Sequence, residues 1–100
     1  MIDLKISYKK APDVLFHLLD QETVLLDLKN ETYFQLNKTG TDVWTLLQEY
    51  NTFDEIKNIL SDRYAISPEI LETDLRELFG DLLAAGIIIP IDKETHESSV

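Results

Sequence analysis

The stretch Glu31–Leu47, ETYFQLNKTGTDVWTLL, changes its hydrophobic period halfway along. Through Leu36 the residues alternate, with Thr32, Phe34 and Leu36 on one face and Tyr33 and Gln35 on the other, as in a strand. Beyond Asn37 the apolar residues recur every three or four positions, at Val43, Trp44, Leu47 and Tyr50. That is the spacing of a helix, and Asn37 or Thr39 can cap it. A strand that gives way to a helix so abruptly leaves no room for a linker. Strand and helix therefore belong to one packed unit, and the chain reads as an α+β domain.

Upstream, VLFHLLDQETVLLDLKNETYFQL carries two breaks, DQE and KNE. Asp and Asn favour turns because their short side chains bond the nearby backbone. The segments between are rich in Val, Leu, Phe and Tyr, as strands are. Three antiparallel strands are predicted, near Val14–Leu19, Thr23–Leu28 and Thr32–Leu36, with hairpin-sized connections. In the second, Val24, Leu26 and Leu28 share one face and Leu25 and Asp27 the other. The first is apolar on both sides, Val14, Phe16 and Leu18 opposing Leu15, His17 and Leu19. That calls for a cover on the outer side, either the N-terminal arm or a second protomer in a homodimer.

Three helices follow the three-stranded sheet, a winged-helix-like order. The second begins at the capping box TFDE, where Thr52 and Glu55 can bond each other's amides. It buries Phe53, Ile56, Ile59 and Leu60 and breaks near Tyr64–Ile66. The third begins at SPE, with Ser67 as cap and Pro68 at the first helical position, where a missing N–H costs nothing. Leu71, Leu75, Leu78 and Leu82 form its main stripe, Phe79 and Leu83 widen it, and Gly86 is its stop. IIIPI reads as a short closing strand that Pro90 confines to an edge or an end. Residues 1–12 are expected as an N-terminal arm or strand, 13–91 as the folded domain and 92–100 as a flexible tail.

One hundred residues, 44% of them apolar, suffice for one domain with its own core. There is no cysteine, hence no disulfide, thiolate nucleophile or zinc–thiolate site. His17 and His96 stand outside any metal-ligand spacing, three glycines build no phosphate loop, and no serine has an evident base partner. The expectation is a protein that is not an enzyme and holds no cofactor or metal. The N-terminus lacks a signal-peptide core and no run approaches the length of a membrane span, so a cytoplasmic protein without membrane contact is expected. The 19 acidic residues against 9 basic ones give a net charge of −10. The predicted third helix, Ser67 to Ala85, sets five carboxylates against Arg76, a net −4. Such a helix repels phosphate, which argues against nucleic acid and against a winged-helix regulator. A polypeptide with basic or apolar residues suits it better. A structural dimerisation module using the doubly apolar sheet is the other alternative.

TVLLDLKNETYFQLNKTGTDVWTLL resembles the strand–strand–helix core of the PqqD-like proteins. TFDEIKNILSDRYAIS resembles their second helix and the loop after it. DLRELFGDLLAAGIII resembles their last helix, with Asp74, Leu75, Leu78, Phe79, Leu82, Gly86 and Ile87 at the family's spacing. The resemblance runs from about Val14 to Ile89, and its most specific part combines Leu36–Asn37, Gly40 and Trp44 with the terminal-helix pattern.

The resemblance implies a recognition element of ribosomally made, post-translationally modified peptides. Such a domain captures the leader segment of a precursor and presents the peptide to a separate enzyme, a radical-SAM enzyme or a leader peptidase and cyclase. It further implies that the leader adds as a strand beside the third strand and rests in a groove against the third helix. On that basis the leader-binding residues are Glu31, Thr32, Tyr33, Phe34, Gln35 and Leu36 on the strand, and Asp74, Leu75, Leu78, Phe79 and Leu82 on the helix. Leu75, Leu78 and Leu82 read equally well as core, and Asp74 is the polar candidate for a basic leader residue. The physics is consistent, because a third strand ending at Asn37 leaves an unpaired edge that a peptide can complete. Gly80 and the acidic charge are not explained by the family pattern; Gly80 reads as a close backbone approach or as incidental.

Overall fold

The structure, a computed structural model, describes residues 3–49 and 51–91. Its elements are β1 (Tyr8–Lys10), β2 (Val14–Leu19), β3 (Glu22–Asp27), β4 (Thr32–Leu36), α1 (Lys38–Gln48), α2 (Phe53–Tyr64), α3 (Pro68–Ala84) and β5 (Ile88–Pro90). An antiparallel sheet of order β2-β3-β4 precedes the three helices, as the sequence indicates, with the middle strand starting one residue earlier than expected. β1 and β5 form a separate antiparallel ribbon, Tyr8 opposite Pro90 and Lys10 opposite Ile88. Within the N-terminal segment, Tyr8–Lys10 forms a strand. It packs on the helical layer, where the Tyr8 ring meets Phe79 edge-on at 5.5 Å. It does not cover the outer face of the three-stranded sheet. Tyr50 and the tail 92–100 lie outside the described residues.

The sheet turns its less apolar face inward. Thr23, Leu25 and Asp27 are buried, whereas Leu26 and Leu28 on the other face are exposed. Buried polar groups are tolerable only when hydrogen-bonded, and both of these are. Thr23 Oγ1 donates to Thr41 Oγ1 of α1 at 2.8 Å. Asp27 anchors the β3–β4 turn, accepting from Asn30 Nδ2 at 2.8 Å and from the Lys29 and Asn30 amides at 3.0 and 3.3 Å. The Asn30 side-chain bond, joined by those amides, holds the Asp27 carboxyl below its ordinary pKa.

The abrupt strand-to-helix junction has a local cause. Asn37 caps α1 by accepting from the Gly40 amide at 2.9 Å. A Cβ at Gly40 would stand 3.1 Å from the Leu36 Cβ, so a side chain there would press on the end of β4. Trp44, one turn later, is 1% exposed and takes the Phe16 ring edge-on at 5.5 Å. The Leu36–Asn37–Gly40–Trp44 pattern is thus the device that lays α1 against the sheet.

α2 starts at the expected capping box, Thr52 accepting from the Glu55 amide at 3.1 Å and Glu55 from the Thr52 amide at 2.7 Å. α3 starts at Ser67 with Pro68 inside its first turn. Contrary to expectation, the Ser67 hydroxyl does not accept an amide as a cap; it donates to the Glu69 carboxylate at 2.6 Å, a charged acceptor. α3 ends in a Schellman motif on Gly86 (φ 76°), with the Gly86 amide bonding Leu83 O and the Ile87 amide bonding Leu82 O. α2 and α3 are tied by Lys57, which donates to Glu72 at 3.0 Å while Arg76 holds the other Glu72 oxygen at 2.9 Å. The Lys57 bond, then the Arg76 bond, lower the Glu72 pKa, so this tie holds above the ordinary glutamate range and weakens as pH falls through the depressed value. A Cβ at Gly80 would meet nothing within 4 Å, so no backbone approaches there.

Candidate peptide-binding groove

β4 is an edge strand, and the register says which of its main-chain groups are open. Antiparallel strands direct the N–H and C=O of successive residues to opposite sides. The Leu28 amide bonds Asp13 O at 3.0 Å, so Leu28, Leu26, Val24 and Glu22 face β2. Thr23, Leu25 and Asp27 must then face β4, opposite Leu36, Phe34 and Thr32. The groups of Tyr33 and Gln35 are left pointing away from the sheet, and no other strand among the described residues lies on that side.

Beside this edge runs a groove of about 570 Å³ lined by Phe34, Gln35 and Leu36 of β4, by Leu78, Asp81, Leu82 and Ala84 of α3, and by Ala85. Phe34 and Leu36 point to the helix side, because they pair with Leu25 and Thr23 of the buried face. Ala84 and Ala85 keep the far wall low. Among the described residues Asp81 is the groove's one charged group. The last turn of α3 holds no basic residue, so the negative end of the helix dipole adds to the Asp81 charge. Along the same helix face Ile70, Asp74, Leu78, Asp81 and Ala85 follow one another at three- or four-residue steps. Ile70 is 64% exposed. Arg76 is taken by Glu72, and Asp74, Glu77 and Asp81 have no ion-pair partner among the described residues. An open strand edge over an apolar floor with an acidic rim can take an extended peptide carrying apolar and basic side chains.

The candidate residues fall into three groups. Phe34, Gln35, Leu36, Leu78 and Leu82 line the groove. Thr32 and Tyr33 share the edge strand without lining it, Glu31 lies in the turn before it with φ 55°, and Asp74 sits exposed one turn before Leu78. Leu75 and Phe79 are buried at 2% and 0% exposure, Phe79 between the Tyr8 and Phe53 rings. They support the helix from behind and present no surface to the groove. Asp81, Ala84, Ala85 and Ile70 were not singled out from the sequence. The heptad-like spacing from Asp74 through Leu78 to Asp81 is the signal that points to Asp81.

Among the described residues no cluster of side chains could hold a metal ion, and no helix is long and apolar enough to cross a membrane.

The fold matches those of known proteins. A solved structure of TbiB1 in complex with the TbiA(beta) leader peptide matches with a TM-score of 0.77 and 31% identity, over 80% of this chain and 93% of that one. A lasso peptide synthetase B1 complexed with the leader peptide matches with a TM-score of 0.76 over 84% of this chain and 99% of that one; at 24% identity it speaks for the fold alone. No curated protein matches. The family described as coenzyme PQQ synthesis protein D matches residues 22–88, from the first residue of β3 to the first of β5. The chain belongs to the PqqD family.

Proposed function

We propose that this protein binds the leader segment of a ribosomally made precursor peptide, without catalysing a reaction itself, and presents the peptide to a separate modifying or processing enzyme in the cytoplasm. The enzyme is a radical-SAM enzyme or a leader peptidase and cyclase. The working unit is the domain of residues 13–91, with the N-terminal arm contributing β1. The leader lies as a fourth strand beside Thr32–Leu36, antiparallel to it, bonding the open groups of Tyr33 and Gln35. Its alternate side chains enter the groove between Phe34, Leu36, Leu78 and Leu82, with a basic residue toward Asp81 or Asp74. The observation that carries this reading is the open β4 edge standing over a groove in a fold shared with leader-bound TbiB1.

The energetics are those of a specific but reversible complex. About four main-chain bonds at ~0.5–1.5 kcal/mol each and about two apolar anchors at ~1.5–3 kcal/mol each oppose roughly 2–5 kcal/mol for ordering the peptide and the entropy of association. The test is reconstitution with a precursor peptide and its modifying enzyme. The protein should bind the leader, raise the enzyme's turnover of the full precursor and leave the precursor unaltered when the enzyme is omitted. Failure to bind, or modification by this chain alone, would contradict the reading. Duplex DNA should not bind at physiological salt, given the acidic third helix.

A further inference from the structure

The opposite edge of the same sheet is open as well. β2 bonds β3 through Asp13, Leu15, His17 and Leu19, which leaves the N–H and C=O of Phe16 and Leu18 directed away from the sheet. Edge strands are ordinarily blunted by charge, by proline or by a covering element. Val14–Leu19 has neither charge nor proline, although the chain carries −10. β1 pairs with β5, and among the described residues no other strand lies beside this edge. Leu15, Phe16, Leu18 and Leu19 are 52%, 38%, 51% and 45% exposed. We propose that a second copy of this chain covers the edge, β2 pairing antiparallel with the partner's β2 about a two-fold axis at His17.

Main-chain groups in a row call for a strand as occupant. A charged peptide finds no charge partner at an uncharged, apolar edge, so the fitting strand is itself apolar and uncharged, and β2 is such a strand. Its pattern is also self-complementary. With Phe16 opposite the partner's Leu18, and Leu18 opposite the partner's Phe16, the N–H and C=O groups of Phe16 and Leu18 are satisfied in both chains. Pairing Phe16 with the partner's Phe16 would set Leu18 against a Val14 amide already bonded to Ala11 O at 3.1 Å. Pairing Leu18 with the partner's Leu18 would bring the Asp20 carboxylate against the partner's Phe16. In the satisfied register Leu15 meets the partner's Leu19 on the outer face, Phe16 meets the partner's Leu18 on the inner face, and His17 meets the partner's His17. The result is a continuous six-stranded sheet with both β4 edges outermost. The inference does not rest on the leader-binding reading, and it leaves that site free.

The test is the mass in solution, by sedimentation equilibrium, of the wild type and of His17→Glu and His17→Lys. His17 is exposed, so both variants should fold, which circular dichroism checks. The wild-type mass should climb from one chain of 11.5 kDa toward two as concentration rises through the micromolar range. Each variant alone sets like charges across the axis and should self-associate about tenfold more weakly or not at all. An equal mixture of the two variants should recover the two-chain mass as a heterodimer. Leu18→Lys should be monomeric in any mixture. The proposal is overturned if the wild type keeps the single-chain mass up to about 1 mM. It is overturned equally if either His17 variant alone associates like the wild type, or if the mixture stays monomeric.

Discussion

At β4 the sheet ends beside α3, and the step between strand and helix makes a groove with an apolar floor, low alanine walls and the Asp81 carboxylate. At β2 the same sheet ends with uncharged side chains on both faces and, on its inner side, Phe16 set against the buried Trp44. Both edges offer two residues' worth of open main-chain groups, Tyr33 and Gln35 on one side, Phe16 and Leu18 on the other. Main-chain pairing alone therefore cannot tell one partner from another. What separates the edges is the neighbouring surface: a charged groove that sorts side chains by size and sign, against an uncharged strand that complements itself.

The change with the largest expected effect acts on the core beneath the sheet. Trp44→Ala should cost about 3–5 kcal/mol in a urea titration and degrade both edges together. Trp44→Phe should cost clearly less, because the indole Nε1 is buried without a hydrogen-bond partner among the described residues and its loss breaks no bond.

Proline substitutions separate the two sides of β4. Thr32→Pro or Phe34→Pro deletes an amide directed at β3 and should destabilise the fold by about 1–3 kcal/mol. Tyr33→Pro or Gln35→Pro deletes an amide directed outward. Each should weaken leader binding by roughly 0.5–1.5 kcal/mol, up to about tenfold by calorimetry, with a smaller loss of stability. Self-association through β2 should be untouched by either outward change.

Gly80→Ala sharpens the comparison by acting on α3 without touching the groove. Open space around the Cβ position predicts a gain of about 0.8–1 kcal/mol in stability from helix propensity, with leader affinity unchanged. The smallest effect is electrostatic. Asp81→Lys should weaken binding of a leader with a basic groove residue by about 0.2–1 kcal/mol, and added salt should shrink the difference. The same change at Asp74, outside the groove lining, should do less.

The sequence was most readable where one residue's chemistry decides the geometry. The period change at Asn37, the Thr52–Glu55 box and the Gly86 stop all specify local backbone, and each is where the pattern puts it. The two faces of β3 were readable from alternation, but which of them turns inward was not, since burial of Thr23 and Asp27 depends on Thr41 and Asn30, one of them 18 residues away. The same holds for the groove. Leu75 and Phe79 share the apolar stripe with Leu78 and Leu82, but Phe79 is sealed by Tyr8, from a segment whose strand character comes only from pairing with β5. Asp81 faces the groove because of how α3 is rotated against β4, a tertiary quantity that helix periodicity narrows without fixing.

The most direct test is amide chemical-shift mapping during titration with the leader of a cognate precursor. The largest changes should fall on Tyr33 and Gln35, whose amides acquire partners, and on Leu78, Asp81, Leu82, Ala84 and Ala85 along the groove. Phe16 and Leu18 should be silent. Binding that perturbs the β2 edge or the β1–β5 ribbon, while Tyr33, Gln35 and α3 stay unchanged, would contradict the placement of the leader at β4.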